Sequence, residues 1–229
     1  MHERPRDLIE KAIAGDDLDF LLRRTAELHG HYCSHLAAGV RAGHAAMKEL
    51  GIQNIGMEEV IAIIETNNCF SDGIQMVTGC TFGNNALIYR DMGKTAFTLA
   101  RRGGDAVRVS LVPDFYERLL KRHHEASDLF ERKVVRREYL TDEENQRMME
   151  LFFEESFDVL RLPLEEIMEV KKLKIDLPAF APIFDSVICE ECKESLMESR
   201  ARIKKGRVLC LECADHPVRY MDGFGIGGA

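Results

Sequence analysis

The chain has 229 residues, of which 45% are hydrophobic, and a formal net charge of −8. This length allows one or two domains with a buried core, and the acidic balance argues against a chain built as a whole to bind nucleic acid or an anionic membrane surface. No run of about 18 apolar residues is present, and the first residues lack the apolar core of a signal peptide, so we expect a cytoplasmic protein without a membrane span.

Apolar periodicity predicts two helices in the first fifty residues, one over 16–28 that ends at Gly30 and one over 34–50. Between them, the sequence His-Gly-His-Tyr-Cys-Ser-His at 29–35 places four metal-binding or proton-carrying side chains within seven residues. If the second helix begins as predicted, Cys33 lies at its N-terminus, where the helix dipole lowers the pKa of a thiol.

A segment rich in strands follows the second helix. The β-branched run at 60–65 predicts a buried strand, and the polar sequence after it leads into a short helix that ends near Thr78. A hairpin is predicted at Gly103-Gly104 between the last two of the remaining strands. The remaining predicted strands cover residues 86–89, 95–100 and 106–112.

Two charged helices are predicted next, one over about 113–126 and one that begins at Thr141. Glu144 follows Thr141 by three residues, which is the spacing of a capping box. The segment 163–185 contains three prolines between short apolar pieces and is predicted to be an extended linker. The core domain is therefore expected to cover residues 1–162.

Residues 186–229 are predicted to form a small zinc finger of the zinc-ribbon or treble-clef type. Their four cysteines have the spacing C-x2-C-x17-C-x2-C, which suits one tetrahedral ion, and the stretch at 197–209 suits a hairpin that joins the two pairs. A redox pair is the alternative. The predicted zinc ligands are Cys189, Cys192, Cys210 and Cys213.

The finger contains seven basic and seven acidic side chains, so it carries no net charge. This balance favours contact with a protein partner over binding to nucleic acid. A module this short buries little apolar surface, and a bound ion would therefore supply much of its folding free energy.

The core domain contains the residue types for a second site. Imidazole and thiolate ligands suit zinc and other transition metals, and a carboxylate can orient a histidine or transfer protons. The alternative interpretation is that the imidazoles cap a helix junction and that the thiols are ordinary core residues. The candidate metal ligands are His29, His31, Cys33, Cys69 and Cys80. The candidate catalytic residues are Cys33, His31, Cys69 and Asp72.

Three runs closely resemble the FmdE family of tungsten or molybdenum formylmethanofuran dehydrogenase subunits: LHGHYCSHLAAGVRAG (28–43), ETNNCFSDGIQMVTGCTFG (65–83) and LIYRDMGKTAF (87–97). The run SVICEECKES (186–195) resembles the finger appended to longer members. The resemblance implies an α+β core domain, with a small antiparallel sheet and flanking helices, that forms homodimers. It also implies that the histidine and cysteine set lines a metal or active site. Members usually have Cys-Pro-Gly where this chain has Cys33-Ser34-His35, which adds His35 as a candidate ligand.

The dehydrogenase reaction needs iron–sulfur clusters, and this sequence has no closely spaced cysteines beyond the zinc-type pairs, so it cannot perform that reaction alone. We therefore predict a metal-binding accessory subunit or small-ligand protein linked to molybdenum or tungsten one-carbon metabolism. Its expected cofactors are zinc in the finger and a second transition metal in the core. The alternatives are a metal-sensing or transcription-related regulator acting through the finger, and a redox protein using Cys33 and Cys69.

Overall fold

A computed structural model describes residues 4–228 and divides the chain into two compact units, Met1–Leu177 and Pro178–Ala229. Within the described residues, the first unit contains the α-helices and a five-stranded sheet, and the second contains short two-stranded sheets. The mixed class of helices and small sheets predicted from the sequence is therefore confirmed. No helix in the described part of the chain combines the length and the apolar content needed to cross a bilayer.

The first unit begins with three helices, which are α1 (Asp7–Ala14), α2 (Leu18–His29) and α3 (Ser34–Leu50). The side chain of Asp17 accepts a hydrogen bond from the Phe20 N–H at 3.0 Å and caps the start of α2. Gly30 ends α2 with a φ of +94°, a conformation that glycine adopts at little cost, and so allows a tight junction with α3. The predicted boundaries of α2 and α3 are confirmed to within two residues, whereas the sequence reasoning did not identify α1.

The sheet of the first unit has the order β2-β1-β3-β4-β5, and all neighbours are antiparallel except β1 and β2, which are parallel. The sequence predicts an antiparallel sheet, and β2 departs from it because α4 lies between β1 and β2 and returns the chain to the same end. The first four strands lie within one residue of their predicted bounds. The elements are β1 (Val60–Ile64), α4 (Phe70–Thr78), β2 (Leu87–Tyr89), β3 (Ala96–Arg101), β4 (Asp105–Leu111) and β5 (Met168–Lys174).

The segment 163–185 is not a linker throughout, as the sequence predicts. Its first part forms helix α8 (Leu164–Ile167) and then β5, which pairs with β4 along seven residues. Ile167 and Met168 are buried in the core of the first unit. The strand was missed because its charged side chains face solvent on an edge strand, so that the apolar alternation is weak.

Four helical segments cover the region between β4 and α8. The sequence predicts a single helix over 113–126, but the chain breaks at His123, where φ and ψ are −119° and 53°. Thr141 and Glu144 form the predicted capping box at the start of the longest helix. The segments are α5 (Phe115–Arg122), α6 (His124–Phe130), a π-helical turn (Glu131–Val135) and α7 (Asp142–Arg161).

The second unit is built from three hairpins in its described part. Lys205 and Gly206 both have positive φ, which is the geometry of a tight hairpin turn, and they join two strands in the stretch where a hairpin is predicted. The paired strands are β6 (Ser186–Ile188) with β7 (Ser195–Met197), β8 (Arg202–Lys204) with β9 (Arg207–Leu209), and β10 (Tyr220–Asp222) with β11 (Gly225–Gly227).

Candidate metal centre and adjoining cavity

Four of the predicted core ligands come together where three helices meet. His29 is the last residue of α2, His31 lies in the following turn, and Cys33 and Cys69 immediately precede α3 and α4. One nitrogen or sulfur atom from each of the four residues lies within 4.8 Å of the others. We refer to His29, His31, Cys33 and Cys69 as the core cluster. Its geometry suits a single ion with two imidazole and two thiolate ligands.

A close crossing of α3 and α4 brings the two cysteines together. A Cβ atom added to Gly39 would lie 2.2 Å from the Phe70 carbonyl oxygen, and one added to Gly73 would lie 2.5 Å from the Gly39 carbonyl carbon. Only glycine at both positions lets the two backbones approach this closely. Cys33 and Cys69 each lie one to two helical turns from this crossing, so the crossing fixes their separation.

Asp72 positions one ligand of the core cluster. Its Oδ2 atom lies 2.7 Å from His29 Nδ1, and its Oδ1 atom accepts a hydrogen bond from Gln75 Nε2 at 3.0 Å. Because a carboxylate accepts the Nδ1 proton, the lone pair of the imidazole lies on Nε2. That Nε2 atom is buried and has no hydrogen-bond partner among residues 4–228. A carboxylate–histidine pair with a free nitrogen in the cluster is the arrangement that orients a metal ligand.

The two thiols of the core cluster share a hydrogen bond, which separates their acidities. Donation from Cys33, opposed by burial and helped by the electrostatic effect of His29, lowers the pKa of Cys69 to about 6. The same hydrogen bond and burial raise the pKa of Cys33. The helix-dipole argument from the sequence assigned the lower pKa to Cys33, whereas the structure assigns it to Cys69. One thiolate is thus available near neutral pH, and a cation favours loss of the second proton.

Burial, followed by the electrostatic effect of His29, lowers the pKa of His31. The two imidazole rings lie 4.5 Å apart between their centroids. A neutral imidazole is the form that binds a metal, so both effects favour His31 as a ligand.

Cys80 does not belong to the core cluster, which corrects its prediction as a metal ligand. It is fully buried, its Sγ donates to the Val60 carbonyl at 3.5 Å, and it accepts from Asn54 Nδ2 at 3.7 Å. Burial raises the pKa of Cys80 to about 11. The alternative interpretation of an ordinary core thiol therefore fits this residue.

His35 also lies outside the core cluster. Its ring stacks on Tyr116 with 4.4 Å between the ring centroids, and burial lowers its pKa to about 4. His35 is therefore a neutral residue near the cluster at physiological pH.

A cavity of about 280 Å³ adjoins the core cluster, and His31, Cys33 and Cys69 form part of its lining. We call it the core cavity. Apolar side chains from α5, α6 and α7 form much of the remaining wall. These residues are Leu119, Leu120, Ala126, Phe130 and Phe152. An apolar cavity with a few polar groups beside a metal cluster is the usual form of a small-ligand site.

The sequence reasoning missed two polar residues of the core cavity, Tyr116 and Glu155. It treated their helices as charged surfaces facing solvent. One signal was present, because Glu155 follows Met148 by seven residues and Leu151 by four, which places an acid on the apolar stripe of α7. An acid on the buried face of a helix is unusual enough to mark a functional candidate.

The second unit contains the other cysteine group. The sulfur atoms of Cys189, Cys192, Cys210 and Cys213 lie within 4.8 Å of one another. The Cys210 N–H donates to Cys189 Sγ at 3.3 Å, and the Cys213 N–H donates to Cys210 Sγ at 3.4 Å. Burial opposes ionisation of Cys189, but backbone N–H donors outweigh it and lower its pKa to about 6. Four sulfurs supported by N–H groups fit a tetrahedral zinc ion.

Comparisons with protein families match both units. Residues 28–169 match the family model described as FmdE, molybdenum formylmethanofuran dehydrogenase operon. Residues 182–215 match the prokaryotic dksA/traR C4-type zinc finger. The second match supports zinc as the ion of the four-cysteine group.

Two individual proteins are similar to the chain. A probable S-adenosyl-L-methionine-binding protein of Archaeoglobus fulgidus is 40% identical over 210 residues, which cover 90% of this chain and 55% of the relative. The chain therefore spans about half the length of that relative. A solved structure of a protein from Syntrophus aciditrophicus, described as like the FmdE subunit of tungsten formylmethanofuran dehydrogenase, has a TM-score of 0.55 at 24% identity, covering 86% of this chain and 91% of that chain. This likeness concerns the fold.

Proposed function

Because this chain belongs to the FmdE family, we propose that its first unit binds a transition-metal ion through the core cluster and holds a small ligand in the core cavity. The observation that carries this proposal is the buried Nε2 atom of His29, which has no hydrogen-bond partner in the described chain while Asp72 holds Nδ1. Leaving a buried imidazole nitrogen unpaired is costly, and an ion at this position removes the cost.

Each residue of the site has a distinct part in this function. Asp72 orients the His29 imidazole, and Cys69 supplies the first thiolate. The ion, when bound, supplies a Lewis-acidic centre that can polarise a ligand. The apolar walls of the core cavity exclude water from the bound ligand.

We propose that this function serves molybdenum or tungsten one-carbon metabolism as an accessory subunit. The description of the FmdE family supports that role. In the same proposal the chain acts as a homodimer in the cytoplasm, where reduced thiols persist. Separation of the purified chain by size with light scattering tests the dimer.

S-adenosyl-L-methionine is a second candidate for the bound ligand, because the 40% identical relative carries that name. Equilibrium dialysis of the purified chain against radiolabelled S-adenosyl-L-methionine tests this candidate. Saturable binding at one site per chain supports it. No binding would rule it out for this chain.

The match of the finger to the dksA/traR type supports a second candidate role, in which the finger contacts a protein partner and the chain acts as a regulator. Five basic residues occur in the eight-residue stretch 200–207, so nucleic acid is the competing partner. Binding to DNA or RNA that falls steeply with added salt would favour nucleic acid.

Metal content per chain, measured by elemental analysis, tests the main proposal. We expect two ions in the wild type, loss of the finger ion in Cys189→Ser/Cys192→Ser, and loss of the core ion in His31→Ala/Cys33→Ser. Cys80→Ala is the matched control, because it removes a buried thiol outside both groups and should keep both ions. A wild type with a single ion that only the finger variant loses would contradict the core metal site.

A further inference from the structure

We propose that the core cavity selects small organic ammonium ions and that Glu155 is the residue responsible for this selectivity. The proposal deepens the function given above and rests on it, because the core cavity is treated as the ligand site beside the ion. It concerns the polar end of the ligand, which the metal ligands do not define.

Glu155 is a buried acid without a basic partner. Its side chain lines the core cavity, and the residue is 8% exposed. Within residues 4–228 no lysine, arginine or histidine forms a salt bridge with it, and its hydrogen-bonding neighbour is Ser34. A carboxylate removed from water without a cation is strongly unfavourable. A positively charged ligand would supply the missing partner.

No lysine or arginine contributes to the lining of the core cavity. Burial, and then the nearby Asp158 carboxylate, raise the pKa of Glu155 against the effect of the Ser34 hydrogen bond. Asp158 therefore adds negative potential rather than neutralising it. A carboxylate or phosphate ligand would meet this potential without compensation, whereas an ammonium ion is attracted by it.

The core cluster does not change this charge balance. A divalent ion bound by two thiolates and two neutral imidazoles is neutral overall. It therefore offers no net positive charge to attract an anion into the core cavity.

The hydrogen-bonding groups of the core cavity also match an ammonium ion. The Tyr116 hydroxyl oxygen is buried and has no hydrogen-bond partner among the described residues. His35, stacked on Tyr116, is neutral and offers a ring lone pair. An ammonium group has three N–H donors, and Glu155, Tyr116 and His35 provide acceptors for them. The apolar wall suits a short hydrocarbon or aromatic body.

Three probes of nearly equal size test the selectivity on the full-length, metal-loaded protein: benzylamine, benzyl alcohol and benzoate. Isothermal titration calorimetry is expected to give the tightest binding for benzylamine and the weakest for benzoate. For Glu155→Gln we expect benzylamine to bind roughly 10- to 100-fold more weakly and benzyl alcohol to change little, because the charged hydrogen bond is lost.

Glu154→Gln is the matched control, since it makes the same substitution one residue away at an exposed position of α7. It should leave all three affinities unchanged. Equal affinity of the wild type for benzylamine and benzoate would overturn the proposal. A preference for benzylamine that survives in Glu155→Gln would also overturn it, because the ion and not Glu155 would then recognise the amine.

Metal analysis of the same samples separates this proposal from the function on which it rests. If the core ion is present and the probes show no charge preference, the selectivity fails while the metal site stands. If the core ion is absent, the metal site fails, and benzylamine selectivity in the metal-free protein would still support Glu155. If Glu155→Gln does not fold, the order of the three probes in the wild type remains the deciding result.

Discussion

The two groups of cysteines in this chain are assembled in different ways. In the finger, all four ligands lie within residues 189–213 and are held by short hairpins and backbone N–H donors. In the core cluster, the ligands come from the ends of three helices and depend on the crossing of α3 with α4. The finger is therefore a local structure, whereas the core cluster depends on the tertiary fold.

The surroundings of the two groups differ as well. The core cluster has Asp72 behind one ligand and a cavity of about 280 Å³ beside three of them. Four thiolates in the finger fill the coordination of a zinc ion, which is typical of a structural site. This difference indicates that the finger ion stabilises a fold and that ligand chemistry belongs to the first unit.

The largest expected effect follows from removing one finger ligand. In Cys210→Ser, we expect the second unit to unfold, because apparent zinc-binding free energies of about 10–16 kcal/mol account for the folding of such small modules. Limited proteolysis should then cleave between residues 186 and 215 while the first unit remains resistant.

Treatment of the wild type with a strong zinc chelator is the control for the substitution itself, and it should give the same cleavage pattern. A second unit that stays protease-resistant in Cys210→Ser would show that its hairpins fold without the ion, and the contrast between the two sites would lose its basis.

The helix crossing provides the next largest effect. In Gly39→Ala, the added Cβ would lie 2.2 Å from the Phe70 carbonyl oxygen, so the helices must separate. We expect destabilisation of about 3 kcal/mol or more, together with loss of the core ion and retention of the finger ion. Chemical denaturation and elemental analysis measure the two effects.

Gly83→Ala is the control, because a Cβ at Gly83 has no atom within 4 Å and the substitution should change stability by less than about 0.5 kcal/mol. If Gly39→Ala kept the core ion at full occupancy, the crossing would not be what holds Cys33 near Cys69.

This contrast also explains how much the sequence could predict. The finger follows from cysteine spacing alone, since its ligands are close along the chain. The strands β1 to β4 and the helices α2 and α3 follow from apolar periodicity. All of these signals are local, and they agree with the structure.

The remaining features depend on contacts between distant residues. Whether Cys69 or Cys80 joins the core cluster cannot be read from spacing, because the choice depends on where each falls relative to α4: Cys69 precedes the helix and Cys80 follows it. The role of Glu155 requires α7 to pack beside Ser34. The strand β5 was missed because only its pairing with β4 identifies it.

The carboxylate behind His29 should have a smaller effect that separates the two sites. In Asp72→Asn, the amide can donate as well as accept, so the imidazole loses its fixed tautomer. We expect metal affinity of the core cluster to fall by roughly 10- to 100-fold, and that of the finger to stay the same. Competition with a chelator of known affinity measures both.

Gln75→Ala removes the other partner of Asp72 and serves as the control, with an expected change in core affinity of less than about 3-fold. Equal affinities in wild type and Asp72→Asn would mean that His29 is oriented by its position at the end of α2 rather than by the carboxylate.

The smallest effect concerns pH and the neutral histidine beside the core cluster. Burial lowers the pKa of His35 to about 4, so the folded state binds its proton less readily than the unfolded state. The stability that this residue contributes is complete above the unfolded pKa of about 6.5 and is lost as the pH falls towards 4, by at most about 1.4 kcal/mol per pH unit.

His35→Phe keeps the ring contact with Tyr116 and removes the proton site. We therefore expect its unfolding free energy to fall less than that of the wild type between about pH 6.5 and pH 4.5, measured by urea denaturation with saturating zinc. His216→Phe changes an exposed histidine of the second unit and should follow the wild-type curve. Parallel curves for wild type and His35→Phe would mean that the imidazole takes up a proton without cost, and that the wall of the core cavity beside Tyr116 is open to water.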